Sequence, residues 1–171
     1  MTSPWPFSVW GIDVIGRIAP KASNGHEYIL VAINYFTNCV EAASYSVLKA
    51  NHMTQFLENN IVCWYGVPQE IISDNGSHFE GEVWRVMEEY SIEHHKSSPY
   101  RPQANGAIVA TNNNVKSILV KMVVTYKDWA EKLSFALWEY RTSIRASTRA
   151  TPYSLVYGSE AVLPIEWRYN L

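Results

Sequence analysis

Ser8-Val9-Trp10-Gly11-Ile12-Asp13-Val14-Ile15 is the stretch on which the reading of the fold turns. β-Branched and aromatic residues fill it and Gly16 closes it, so it predicts a strand. One residue stands out. Asp13 lies among apolar neighbours, where an ionised carboxylate is costly unless it is paired or bound to a cation. Working outward, Asn24-Gly25 within Lys21–His26 is a hairpin-turn signal. The near-continuous apolar run Glu27–Phe36 predicts a second strand, buried on both faces. Thr37-Asn38 turns into a third strand, Cys39–Tyr45, which completes an antiparallel meander.

The period then changes. Met53, Phe56, Leu57, Ile61 and Trp64 recur at three- and four-residue steps, which predicts one amphipathic helix over Ala50–Tyr65, ended by Gly66 and Pro68. Glu70–Ser73 reads as a short strand running into Asp74-Asn75-Gly76. Val83, Val86, Met87 and Tyr90 mark another helix, and Ile92–His95 a further short strand. Pro99 and Pro102 make Ser97–Pro102 a loop. A long helix is predicted from Asn105 to Val124, with Ile108, Thr111, Val115, Ile118, Leu119 and Met122 on its core face. Asp128–Tyr140 gives another, with Asp128 placed where a carboxylate suits the helix dipole. The tail from Ser143, punctuated by Pro152, Gly158 and Pro164, reads as an irregular wrap. This succession predicts an α/β layer around a mixed sheet.

At 171 residues with 47% apolar content, the chain suits one domain with a real core. It has no 18-residue apolar run and no signal-peptide head, so no membrane association is expected. Cys39 and Cys63, 24 positions apart, exclude a disulfide framework and a four-cysteine zinc site and fit a reducing, intracellular compartment. The net charge of −2 is unevenly spread: residues 1–93 sum to −7 and residues 94–171 to +5. No carboxylate lies between Glu93 and Asp128, a stretch that carries Lys96, Arg101, Lys116, Lys121 and Lys127. Such a segment is either a solvated helix face or a phosphate-contacting surface.

Asp13 and Asp74 each end or interrupt an apolar strand. Two aspartates on adjacent strands could share a divalent ion, since Mg²⁺ takes one or two carboxylates plus waters and substrate phosphate. The structural alternative makes Asp13 a surface residue on a twisted edge and Asp74 the start of an Asx-turn.

Four blocks carry a resemblance: Trp10-Gly11-Ile12-Asp13, Ser73-Asp74-Asn75-Gly76-Ser77-His78-Phe79, Pro99-Tyr100-Arg101-Pro102-Gln103-Ala104-Asn105-Gly106 and Ala150-Thr151-Pro152-Tyr153-Ser154-Leu155-Val156-Tyr157-Gly158. Over about Pro4 to Glu166 the chain resembles the integrase catalytic core of plant gypsy-class LTR retrotransposons. The resemblance implies a ribonuclease-H-like fold with a five-stranded mixed sheet flanked by helices, and a DDE-type polynucleotidyl transferase. It implies one domain over 1–171, with its core about 4–142 and its wrap 143–171, and neither the preceding His-His-Cys-Cys zinc domain nor the following DNA-binding domain. Asp13 and Asp74 match the first two catalytic, metal-holding acids. The third acid falls at Val109, 35 positions after Asp74 and one position closer than in relatives. An isopropyl group cannot ligate Mg²⁺ or Mn²⁺, so at most one ion is expected to bind well and strand transfer is expected to be weak or absent. The resemblance makes DNA the partner, with Arg101, Gln103, Asn105, Lys116 and Lys121 as its contacts, and implies a nuclear address. Asn34, Cys39 and Arg149 depart from the Asp, Trp and Gly usual at those positions.

Two alternatives stand beside this reading. One is an active integrase in which Glu80 or Glu82 substitutes for the missing acid. The other is a non-enzymatic module that homodimerises through Trp64, Trp84, Trp129 and Trp138. The His94-His95 pair reads as structural, since no cysteine lies near it in sequence.

Overall fold

A computed structural model describes residues 7–74, 81–96, 113–121 and 125–162. The strands are β1 (Val9–Ile15), β2 (Tyr28–Asn34), β3 (Val40–Tyr45), β4 (Glu70–Ser73) and β5 (Glu93–Lys96). They form one mixed sheet in the order β3-β2-β1-β4-β5. β1 is therefore central, antiparallel to β2 and parallel to β4. Asp13 accordingly does not lie on an edge strand. The chain fills one side of β1 with β2 and β3, then crosses to the other side for β4 and β5. The C-terminal ends of β1 and β4 thus flank a topological switch point, where open α/β sheets open a crevice.

Alternation along β1 divides the core. Trp10 and Ile12 face a cluster built with Leu30, Ala32, Phe56, Leu57, Ile61, Val83 and Met87. Helix α1 (Ala50–Phe56), its continuation and α3 (Glu82–Glu89) cover that face. Ile29, Val31, Ile33 and Val40 face the other way, onto Val115, Leu119, Trp129, Leu133 and Leu137. Those residues come from α4, described over 113–121, and from α5 (Trp129–Thr142). β2 is buried along both faces, as its apolar run predicts.

Three differences from the sequence reading have local causes. The Ala50–Tyr65 helix is continuous but not uniform: Leu57–Val62 is π-helical before a last α-turn, α2 (Cys63–Tyr65). Wider i→i+5 turns shift the inward stripe. Ile61 stays buried, but Trp64 swings out to 73% exposure and Tyr65 takes the inner position against Phe7 and Trp10. Trp129, grouped by sequence with residues for a dimer face, is fully buried and closes the core on the α4–α5 side. The tail is not wholly irregular, because α6 spans Pro152–Tyr157. Thr151 caps it by accepting from Ser154 N–H at 3.0 Å, Pro152 occupies its first turn, and Gly158 ends it in the left-handed region. Residues that break the middle of a helix here bracket a short one.

Two departures from the pattern the resemblance implies fare differently: one has a structural reason and the other carries strain. Asn34 is fully buried. Its Oδ1 accepts from Phe36 N–H at 3.2 Å and from Thr37 N–H at 2.9 Å and its hydroxyl at 3.0 Å. Its Nδ2 donates to the Val9 carbonyl at 3.3 Å, which an ionised aspartate cannot do. Arg149 has φ of 55°, a left-handed conformation that glycine adopts more readily, so this substitution carries local strain.

Candidate functional site

The register places the first two acids together. Ile12 pairs with Ser73 across the parallel β1–β4 ladder, so Asp13 and Asp74 occupy the next step on each strand. The side chain of Asp13 is 16% exposed, and its Oδ1 accepts from Val14 N–H at 2.7 Å. Asp74 is exposed at the strand end. Its carbonyl accepts from the Ser73 hydroxyl at 3.1 Å, and that hydroxyl meets His94 Nε2 at 2.7 Å. His94 packs edge-on against Trp84, so β5 and α3 both brace the residue that precedes Asp74.

The main finding at this site is the position of Lys116. Val115 and Leu119 anchor α4 in the core. Lys116 Nζ forms an ion pair with Asp13 Oδ2, and its side chain is 27% exposed. The charge that suits Asp13 to hold a cation is thus balanced from within the chain. Lys116, expected from the resemblance to meet DNA phosphate, meets a carboxylate here. Lys121 is exposed on the same helix. Arg101, Gln103, Asn105, Val109 and Glu80 lie outside the described residues. Glu82 is exposed in the first turn of α3, on the sheet face opposite the one Asp13 looks toward.

Among the described residues, the set with metal-ligand chemistry in close proximity is Glu70, Glu93 and His95, whose ligand atoms lie within 4.8 Å of one another. Glu70 and Glu93 are register partners on β4 and β5. His95 Nε2 approaches them at 3.8 and 3.5 Å. This trio lies at the start of β4, four residues from Asp74, or roughly 13 Å along the strand. It is separate from the Asp13–Asp74 pair. The His94-His95 pair thus divides: His94 props the end of β4, while His95 sits between two glutamates. The parallel pairing of two four-residue strands decides that division, and residue spacing carries no trace of it.

Burial, followed by the nearby Lys96 and His95, pushes the His94 imidazole below its ordinary value of 6.5. The folded form therefore binds fewer protons than the unfolded form once pH drops below about 6.5, so stability rises with pH across that window. Urea melts should show stability falling from about pH 6.5 downward. His94→Gln should flatten that slope. A variant slope equal to that of the wild type would remove His94 as the cause.

A second buried polar group lies beyond the site, at β3. Tyr65 donates its hydroxyl to Glu41 at 2.7 Å, and the Cys39 thiol meets the same hydroxyl at 3.4 Å. Arg141 pairs with Glu41 at 2.7 Å and donates to the Val40 carbonyl at 2.9 and 3.1 Å. Burial pushes the Cys39 thiol and the Tyr65 hydroxyl up from their ordinary values, so both stay protonated at neutral pH. This cluster ties α5 and α2 to the sheet edge and has no place in the acid pair.

Comparison with known proteins agrees with this fold. The fold is that of integrase catalytic cores. The chain aligns with a simian T-cell lymphotropic virus intasome chain, solved with the PP2A regulatory subunit B56 gamma, at a TM-score of 0.70 and 22% identity, covering 94% of this chain and 57% of that one. It aligns with the catalytic core domain of BIV integrase at a TM-score of 0.66 and 20% identity, covering 89% and 95%. A magnesium complex of the HTLV-2 integrase core, in trimeric form, aligns at 0.66 and 19% identity, covering 90% and 99%. The family model "Integrase core domain" matches residues 4–102, and the chain belongs to that family. Among full-length relatives, the Tf2-3 transposon polyprotein of Schizosaccharomyces pombe is 26% identical over 165 residues. That match takes in 94% of this chain and 12% of the polyprotein, so the chain spans about an eighth of such a relative. Among the described residues, no helix is long and apolar enough to cross a membrane.

Proposed function

We propose that this chain is the integrase core of a gypsy-class LTR retrotransposon of plant type, that it engages DNA, and that its polynucleotidyl-transfer site is degenerate. The observation that carries the reading is the β1–β4 register that sets Asp13 one step from Asp74, together with the ion pair of Lys116 with Asp13. Two hard carboxylates on adjacent parallel strands suit Mg²⁺ or Mn²⁺, and Asp13 and Asp74 would hold one ion. Such an ion supplies Lewis-acid polarisation of a phosphoryl oxygen and a water of lowered pKa. The donor set does not fit a second ion, because Val109 contributes no ligand atom.

The chain's own residues do the rest. Lys116 balances Asp13 and softens the repulsion between two aspartates and an approaching phosphodiester. Ser73 and His94 hold the main chain at Asp74. Lys121, with Arg101, Gln103 and Asn105 from the acid-free segment, supplies contacts to backbone phosphates, which position a duplex without reading its sequence. A nuclear address, a single core domain and self-association belong to the same reading.

Fluorescence anisotropy with a short duplex tests it. Affinity should fall at least tenfold between about 50 mM and about 200 mM salt, and Lys121→Gln should reduce the salt slope by about 1. Exposed Phe135, Trp138 and Trp64 favour a second reading, a dimerising module without DNA. A stable dimer on gel filtration with no duplex binding at low salt would replace the first reading by the second.

A further inference from the structure

Arg145 opens the tight turn that follows α5. Its N–H donates to the Ala150 carbonyl at 3.0 Å, and its own carbonyl accepts from Arg149 N–H at 2.8 Å. Its guanidinium stacks 3.8 Å over the Tyr140 ring and donates from Nη2 to the Tyr140 carbonyl at 2.8 Å. Its Nε is buried and meets no acceptor. Among the described residues, no carboxylate forms an ion pair with it. Arg141, one helical turn earlier, is the contrast: that guanidinium has Glu41 and the Val40 carbonyl. A half-buried cation with an unmade hydrogen bond and no counter-charge is costly to keep.

What lies in front of Arg145 accounts for it. A cleft of about 230 Å³ opens between α4, α5 and the turn. Asn38, Asn114 and Ser147 line it with Arg145, over an apolar floor that includes Ile118 and Tyr140. Among the described residues, the four polar side chains Asn38, Asn114, Arg145 and Ser147 that line it all carry donors, and none of them is acidic. Asn38 Nδ2 lies 3.4 Å from Ser147 Oγ, so the two arrive together at the rim.

We propose that this cleft binds one phosphate group, with Arg145 as its principal ligand and Asn38, Asn114 and Ser147 as supporting donors. Four donor groups match the several acceptor oxygens of a phosphate better than the two of a carboxylate, and the guanidinium fork suits it. The phosphate can belong to a nucleic-acid backbone or be free. The backbone source rests on the integrase reading above, whereas affinity for phosphate itself does not.

Inorganic phosphate is therefore the first probe, titrated into isotope-labelled protein and followed by NMR. The side-chain amide signals of Asn38 and Asn114 and the Ser147 amide should shift and saturate. Arg145→Gln should weaken binding at least about tenfold. Since that change also removes the Tyr140 stacking, Asn114→Asp provides a second variant: the residue is exposed on α4, and a carboxylate there repels the anion while leaving the fold intact. Unmoved signals in the wild type, or wild-type affinity in Asn114→Asp, would overturn the proposal. A short duplex is the second probe. Shifts of the same signals, reversed by excess phosphate, assign the cleft to a strand backbone. Phosphate shifts without duplex shifts assign it to a free phosphate group, and duplex binding that leaves these signals still reports on the integrase reading alone.

Discussion

Val109→Glu is expected to raise the metal-dependent nuclease activity of the chain well above that of the wild type. On branched DNA with Mn²⁺, the variant should nick at least ~10²-fold faster than the wild type, the scale on which one electrostatic stabiliser acts in other enzymes. The argument is one of charge and ligand count. Asp13 and Asp74 stand side by side at the ends of β1 and β4, but two carboxylates leave a paired-cation site short of an anchor. Position 109 lies outside the described residues. It precedes Lys116 by seven positions, and in the helix predicted for 105–124 residues seven apart share a face. Lys116 is the residue that reaches Asp13. A glutamate at 109 would therefore rise from the stripe that already points at the acid pair. Asp74→Asn in the same background should abolish the gain. Turnover in the wild type that is itself lost on Asp74→Asn would show instead that another acid, such as Glu80, completes the site.

Arg141→Ala is expected to give the largest loss of stability among polar substitutions, on the order of 3 kcal/mol, or roughly 6–12 °C in melting temperature. Arg141 and Glu41 are 26% and 13% exposed, and the guanidinium also satisfies the Val40 carbonyl. Removing it leaves a mostly buried carboxylate with the Tyr65 hydroxyl as its remaining partner among the described residues. The pair itself contributes less than this figure, because the loss is dominated by the uncompensated charge left behind. The double variant Arg141→Met with Glu41→Met should consequently be more stable than Arg141→Ala. A thermal melt within about 1 °C of wild type for Arg141→Ala would show that water reaches Glu41 freely.

The two predictions draw on different kinds of information. Each strand announces itself locally: β-branched and aromatic runs of four to ten residues bounded by turns placed β1 to β5 within a residue or two. The blocks around Asp13 and Asp74 were equally plain, because a carboxylate inside or at the end of an apolar strand is anomalous in one dimension. The same local logic failed where a signal has two meanings. Pro152 and Gly158 read as breakers, yet flanking six residues they cap α6. Trp64 fits the helical period until the π-helical turn displaces it. Asn34 departs from the Asp that the resemblance leads one to expect, and its amide donates to the Val9 carbonyl, which an ionised aspartate could not do.

Composition, period and motif therefore determined the class of fold and the order of its elements, since each depends on residues close together along the chain. Which charges meet was decided only in three dimensions. Lys116 against Asp13, Arg141 against Glu41, His95 between Glu70 and Glu93, and Arg145 facing its cleft with no ion-pair partner among the described residues join segments separated by up to about a hundred positions. Strand register and helix docking set those meetings. Electrostatic attraction depends on distance and burial, and neither is written in the order of residues.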